Sequence, residues 1–88
     1  MNTAFRRSFL RDLRKIADAA VLRRVDHAIR DVEGAADLPH VSNLKKLSGT
    51  SQFFRIRVGD YRLGVVIAGD TVEFVRCLHR RDLYRFFP

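Results

Sequence analysis

The sequence predicts an α+β fold in which a short N-terminal strand and an antiparallel helix pair precede a three-stranded antiparallel meander, in the order β, α, α, β, β, β. Apolar residues recur at helical spacing in the first half of the chain. The second half holds β-branched and aromatic runs separated by two Gly-Asp pairs. Length sets the third bound: 88 residues with 47% apolar content, spread along the whole chain, suffice for one core and hence one domain spanning 1–88.

Asn2 to Phe5 reads as a short strand. Phe9, Leu10, Leu13, Ile16 and Ala17 then form the i, i+3, i+4, i+7 stripe of an amphipathic helix with Ser8 as its cap, and Arg7, Arg11, Asp12, Arg14 and Lys15 occupy the other face. A second stripe through Leu22, Val25, Ile29 and Val32 stops at Gly34, a good terminator, with Asp18 capping its start. No Gly or Pro marks the break at Asp18, so one long bent helix is the alternative to a pair. Ala35 to Ser42, with Pro39, reads as a connecting loop.

Phe53–Val58, Tyr61–Ile67 and Thr71–Leu78 are the meander strands, joined at Gly59-Asp60 and Gly69-Asp70. Gly before Asp suits a two-residue type II′ turn. Counting outward from the first turn pairs Val58 with Tyr61, Arg57 with Arg62, Ile56 with Leu63 and Arg55 with Gly64. Alternation then sends Phe54, Ile56, Val58, Tyr61, Leu63, Val65, Ile67, Val72, Phe74 and Leu78 toward the helices. The opposite face collects Arg55, Arg57, Arg62, Gly64, Val66, Glu73, Val75, Cys77 and His79. A slip of one residue would exchange the two sets.

Seventeen Lys and Arg against ten Asp and Glu give a net charge of +7, which suits a polyanion or an acidic protein partner. Arg outnumbers Lys fourteen to three. Arg grips phosphate in bidentate fashion and stacks on bases, although a GC-rich coding bias would produce the same excess. Position is more informative. Arg57 directly opposite Arg62 sets like charges face to face, which weakens a sheet unless something anionic sits between them or the two side chains splay into solvent. Gly64 opposite Arg55 leaves an opening where a base or backbone can approach. The segment His79-Arg80-Arg81-Asp82-Leu83-Tyr84-Arg85 follows the last strand. Lys45 and Lys46 read either as solvated charges or as backbone-phosphate contacts. Phe86-Phe87-Pro88 is expected to pack on the core rather than join a partner interface.

A single cysteine, Cys77, forbids an internal disulfide, and no Cys/His pairs stand at zinc spacing, so neither metal nor cofactor is expected. Met1 to Arg11 lacks an apolar core of signal-peptide length, and no apolar run approaches the ~20 residues that span a bilayer. The expected location is cytoplasmic, with no membrane role.

Three segments in this order resemble a known family: Leu44-Lys45-Lys46-Leu47-Ser48-Gly49, then Phe54-Arg55-Ile56-Arg57-Val58-Gly59-Asp60-Tyr61-Arg62, then His79-Arg80-Arg81-Asp82-Leu83-Tyr84-Arg85. Together they look like the RelE/ParE superfamily of type II toxin-antitoxin toxins, over nearly the whole chain. The resemblance implies a RelE-like fold with a short C-terminal segment. It also implies a metal-independent endoribonuclease, an mRNA interferase that cuts messenger RNA in the ribosomal A site, inhibits translation and is blocked by a cognate antitoxin. Arg55 and Arg57 match the family's strand-two basic pair, Arg62 its strand-three arginine, and Arg80 and Tyr84 its C-terminal arginine and tyrosine.

On that reading Arg57, Arg62 and Arg80 clamp the scissile phosphate while Tyr84 stacks on a base or orients the leaving group. Arg55, Lys45, Lys46 and Arg81 bind RNA around them. Some members carry lysines on strand two. Arg55 and Arg57 have pKa values above ~12 and are poor bases, so proton transfer falls to His79, whose ordinary pKa is about 6.5, or to Tyr84. Two other readings remain: a ParE-like toxin that inhibits DNA gyrase by protein binding, and a degenerate, non-toxic binding module.

Overall fold

A computed structural model describes residues 1–47, 49 and 52–87 of the chain, so Ser48 and Pro88 of the segments above lie outside the described residues. The elements are β1 (Asn2–Phe5), α1 (Arg7–Arg14), α2 (Ala19–Gly34), a 3-10 turn (Leu38–His40), β2 (Leu44–Lys46), β3 (Phe53–Val58), β4 (Tyr61–Ala68), β5 (Thr71–His79) and α3 (Leu83–Phe86).

The helix pair is present, and Asp18 caps α2 by accepting a hydrogen bond from the Ala20 N–H at 2.9 Å. Gly34 ends that helix as expected. The expected cap on α1 is wrong. Ser8 lies inside the helix and donates instead to the Val75 carbonyl, while Arg6 holds the cap position without a side-chain bond. Helix α1 also stops earlier than its apolar stripe, because the Lys15 and Ile16 N–H groups bond the Asp12 and Leu13 carbonyls, tightening the last turn. Ala17 consequently lies exposed in the link.

Both hairpin turns have two residues, with φ +59° at Gly59 and at Gly69 and no positive φ at the aspartates, the pattern of a type II′ turn. The β3–β4 register is the counted one, including Arg57 opposite Arg62 and Arg55 opposite Gly64. The sheet is larger than a meander. It has five strands in the order β1-β5-β4-β3-β2, with β1 parallel to β5 and β2 antiparallel to β3. Three residues with one apolar side chain, Leu44-Lys45-Lys46, carry too little pattern to announce β2.

One bulge corrects the expected faces of the last strand. Gly64 pairs with Arg76 but Val65 pairs with Phe74, so Val75 is an extra residue on β5. Beyond it the alternation inverts. Cys77 pairs with Leu63 in the core, Leu78 with Arg62, and His79 with Tyr61.

Helix α1 packs on β5 and α2 on β3, burying Phe9, Val25 and Val32 against Ile56, Leu63, Val65, Val72 and Phe74. Phe74 stacks on Phe5 and meets Phe9 at a tilt, both at 5.3 Å between ring centroids. Because β1 ends at Phe5, the upper half of β5 has an open edge, and α1 closes it with side chains. There the Ser8 hydroxyl binds the Val75 carbonyl and the Asp12 carboxylate accepts the Cys77 N–H at 2.9 Å. On the sheet's other face Leu83 and Phe87 build a second, smaller core over Leu47, Phe53, Val66, Val75 and Leu78.

Burial pushes the Cys77 thiol up from 9.0 to about 12, with the nearby Asp12 carboxylate adding to the shift. Between those values the folded chain keeps a proton that the unfolded chain releases, so stability falls as pH rises through this window. Replacing Cys77 by Ala is expected to flatten that alkaline decline in denaturation curves taken from pH 9 upward. At neutral pH a thiol reagent should modify the wild type only as fast as the chain opens.

Candidate functional site

On the sheet face opposite α1 and α2, the register brings Lys45 opposite Arg55 and Arg57 opposite Arg62. Four cationic positions thus adjoin on three neighbouring strands. The chain after β5 then folds back over the same face: the Arg80 N–H donates to the Asp60 carbonyl at 2.8 Å, and Leu83 and Phe87 bury their side chains beneath α3. Tyr84, between these two anchors, is left 68% exposed. The Arg62 guanidinium is held below its ordinary pKa first by partial burial and then by the positive charges of Arg55, Arg57 and Arg80, while Tyr84 acts in the opposite sense. All five residues that the sequence comparison singled out therefore share one electrostatic neighbourhood.

Arg62 is fixed in place. Its Nη1 donates to the Gly59 carbonyl at 2.8 Å and to the Tyr61 carbonyl at 2.9 Å. That uses both Nη1 hydrogens and leaves the Nε–H and Nη2 edge, the fork that matches two phosphate oxygens, without a partner among the described residues. Arg55 has one long bond, 3.5 Å from Nη1 to the Asn43 carbonyl. Three arginines elsewhere pair with carboxylates: Arg6 with Glu73, Arg30 with Asp26 and Arg76 with Asp12. Among the described residues no carboxylate pairs with Arg55, Arg57, Arg62 or Arg80. Like charges kept close on one face raise the local positive potential, which attracts anions.

Three expectations about this face change. His79 lies on the helix side of the sheet, because the Val75 bulge pairs it with Tyr61, whose ring it meets edge-on at 5.8 Å between centroids. Its Nδ1 accepts from the Arg81 backbone N–H and from Arg81 Nε, which turns Arg81 toward His79. Second, the opening at Gly64 is filled from within: a Cβ there would stand 2.8 Å from the Phe87 ring, so Phe87 takes the space a base was expected to use. Third, the two lysines part company. Lys45 joins Arg55, whereas Lys46 pairs with Phe54 and belongs to the other face. Phe87 packs as expected of the terminal cluster, but Phe86 is 51% exposed.

One residue near the site carries no signal in the sequence. Arg24, on the polar side of α2, sets its guanidinium against the Gly59 turn. Only the packing of α2 over β3 brings it there. Among the described residues no group of three or more His, Cys, Asp or Glu side chains is gathered as for a metal, and no helix is long and apolar enough to cross a membrane.

The model of the ParE toxins of type II toxin-antitoxin systems matches residues 4–84. The chain belongs to this toxin family. Within the wider RelE-like superfamily, the toxin is 34% identical over 89 residues to Toxin RelE3 of Methanocaldococcus jannaschii, with the whole of both chains covered. Its fold superimposes on a RelB-RelE antitoxin-toxin complex from Methanococcus jannaschii with a TM-score of 0.79 and 32% identity, covering 97% of this chain and 99% of the other. The archaeal RelE-RelB complex from Pyrococcus horikoshii OT3 matches with a TM-score of 0.69 and 21% identity, over 90% and 93% of the two chains, and speaks for the fold. The protein is a RelE-like toxin of a type II toxin-antitoxin system.

Proposed function

We propose that this toxin is a metal-independent endoribonuclease that cuts messenger RNA on the ribosome. The observation that carries the reading is the cluster of Arg55, Arg57, Arg62 and Arg80, with which no carboxylate pairs among the described residues, and in which two backbone carbonyls hold the Arg62 guanidinium. In such a cleavage the ribose 2′-oxygen bonds to the adjacent phosphorus while the bond to the 5′-oxygen breaks, giving a 2′,3′-cyclic phosphate and a free 5′-hydroxyl. Negative charge grows on the phosphate oxygens, and fixed guanidinium donors stabilise it without reorganising. The 2′-hydroxyl proton must leave and the 5′-oxygen must gain one. With His79 on the other side of the sheet, this reading gives proton donation to the leaving oxygen to Tyr84, whose exposed side chain lies in the segment that follows Arg80. Lys45 extends the phosphate contacts past Arg55, whereas Lys46 on the other face and Arg81 turned toward His79 take no part in them.

The reading includes a cytoplasmic site of action and a cognate antitoxin. The RelE relatives that this fold resembles were solved as RelB-RelE complexes. An acidic or amphipathic segment that wraps the helix pair and covers the positive face would neutralise this toxin. A second reading has its own support, since the family model that matches is that of the ParE toxins, for which gyrase inhibition through protein binding is the alternative.

Induction in growing cells with messenger RNA mapping separates these readings. Cleavage at translated sites that vanishes in Arg62→Ala and in Arg80→Ala, each folded by circular dichroism, is the expected result. Arrest with intact messages and a blocked supercoiling reaction would transfer the function to gyrase. Normal growth at good protein levels would mean a non-toxic binding module.

A further inference from the structure

The first hairpin turn gathers arginines from three separate elements. Arg62 of β4 binds the Gly59 carbonyl, Arg80 after β5 binds the Asp60 carbonyl through its backbone N–H, and Arg24 of α2 reaches the turn from the opposite side. A Cβ on Gly59 would stand 2.6 Å from Arg24 Nη1, so the guanidinium lies directly over the turn. One open cleft of about 960 Å³ runs across this point and is lined by Arg23, Arg24 and His27 of α2 as well as by Arg57, Arg62 and Arg80. Positions 23, 24 and 27 are neighbours on one helix face, and all three side chains are exposed.

The acids of α2 each have a partner, Asp26 pairing with Arg30, Asp31 accepting the Ser42 N–H and Glu33 accepting the Thr3 hydroxyl, and the cleft's arginines outnumber its two carboxylates, Asp31 and Asp60. The helix side of the cleft offers small residues, Ala20 and Ala28, instead of large apolar anchors. A peptide groove needs such anchors, whereas a nucleic-acid backbone needs charge and donors.

From this geometry we infer that Arg23 and Arg24, with His27 beside them, form a second phosphate-holding station. The station binds a further backbone phosphate of the same RNA strand, across the Gly59-Asp60 turn from the arginine cluster of the sheet. This deepens the nuclease reading and rests on it. The station holds the strand in register and has no part in moving protons.

The test is the salt dependence of binding to a dye-labelled 2′-O-methyl oligoribonucleotide, which cannot be cut because its nucleophile is blocked. Arg23→Ala/Arg24→Ala should flatten the plot of log K against log salt by about 0.7, the share of one phosphate on a single strand. Arg7→Ala/Arg11→Ala removes the same charge from α1 and should keep the wild-type slope. Arg23→Lys/Arg24→Lys should restore most of it. Equal slopes in wild type and Arg23→Ala/Arg24→Ala, or an equal loss in the α1 variant, would overturn the station and leave the nuclease reading standing. No binding of the oligonucleotide by the wild type would also overturn the station, whereas the nuclease reading falls only if messenger cleavage on ribosomes is absent. Polyglutamate of matched charge that displaces the RNA and shows the same dependence on Arg23 and Arg24 would reassign the station to an acidic protein.

Discussion

Arg62→Ala is expected to slow messenger cleavage on programmed ribosomes by about 10²–10³-fold under single-turnover conditions, the usual effect of removing one fixed donor from a developing oxyanion. Two features of the site set that magnitude. The guanidinium is oriented by the Gly59 and Tyr61 carbonyls before any ligand arrives, and it belongs to a cluster that no carboxylate neutralises among the described residues. Arg62→Lys should recover only part of the rate, because an ammonium keeps the charge but loses the planar fork. His79→Ala provides the contrast, with a loss below about 10-fold, since general acid-base residues contribute about 10²–10⁴-fold and this ring lies on the helix side of the sheet. A His79→Ala loss as large as that of Arg62→Ala would return the histidine to the reacting centre.

Asp12→Ala is expected to be as destabilising as the loss of a buried core aromatic on the helix side. The Asp12 carboxylate is 6% exposed and accepts from Arg76 Nε at 2.8 Å, from Arg76 Nη2 at 3.2 Å and from the Cys77 N–H at 2.9 Å. Removing it strands a partly buried guanidinium and a buried backbone donor together, a loss of about 3–5 kcal/mol. For a domain of this length that lowers Tm by roughly 12–40 °C. The double change Asp12→Ala/Arg76→Ala should recover the part due to the stranded charge but not the part due to the Cys77 N–H. A thermal-melt cycle over wild type, the two single changes and the double measures both parts. Additive losses would mean that the pair does not hold the open edge of β5.

The same cycle bears on the site. Asp12 supports β5 immediately past the Val75 bulge, where the strand turns Leu78 toward the second core under α3. Loosening that segment would free the backbone that carries Arg80 and Tyr84 to Arg62.

Much of this was legible in the chain itself. Gly59-Asp60 and Gly69-Asp70 specify two-residue turns because glycine accepts the positive φ of a first turn position, and a turn of fixed length sets the register by counting. Arg57 opposite Arg62 therefore followed from the sequence, as did the two helices, the Asp18 cap and the stop at Gly34. Residues that came from the family resemblance, Arg80 and Tyr84, also reach the cluster. Tertiary structure decided the rest. The bulge at Val75 has no local code; it arises where the open edge of β5 meets Ser8 and Asp12, more than sixty residues earlier in the chain, and it moves His79 off the arginine face. The strand β2 exists because β3 offers it an edge, and Phe87 fills the space at Gly64 only once α3 has folded back. Arg24 reaches the turn through the packing of α2 over β3. Turn chemistry acts over neighbouring residues and can be read along the chain, whereas edge closure and helix docking depend on groups that become neighbours only when the core forms.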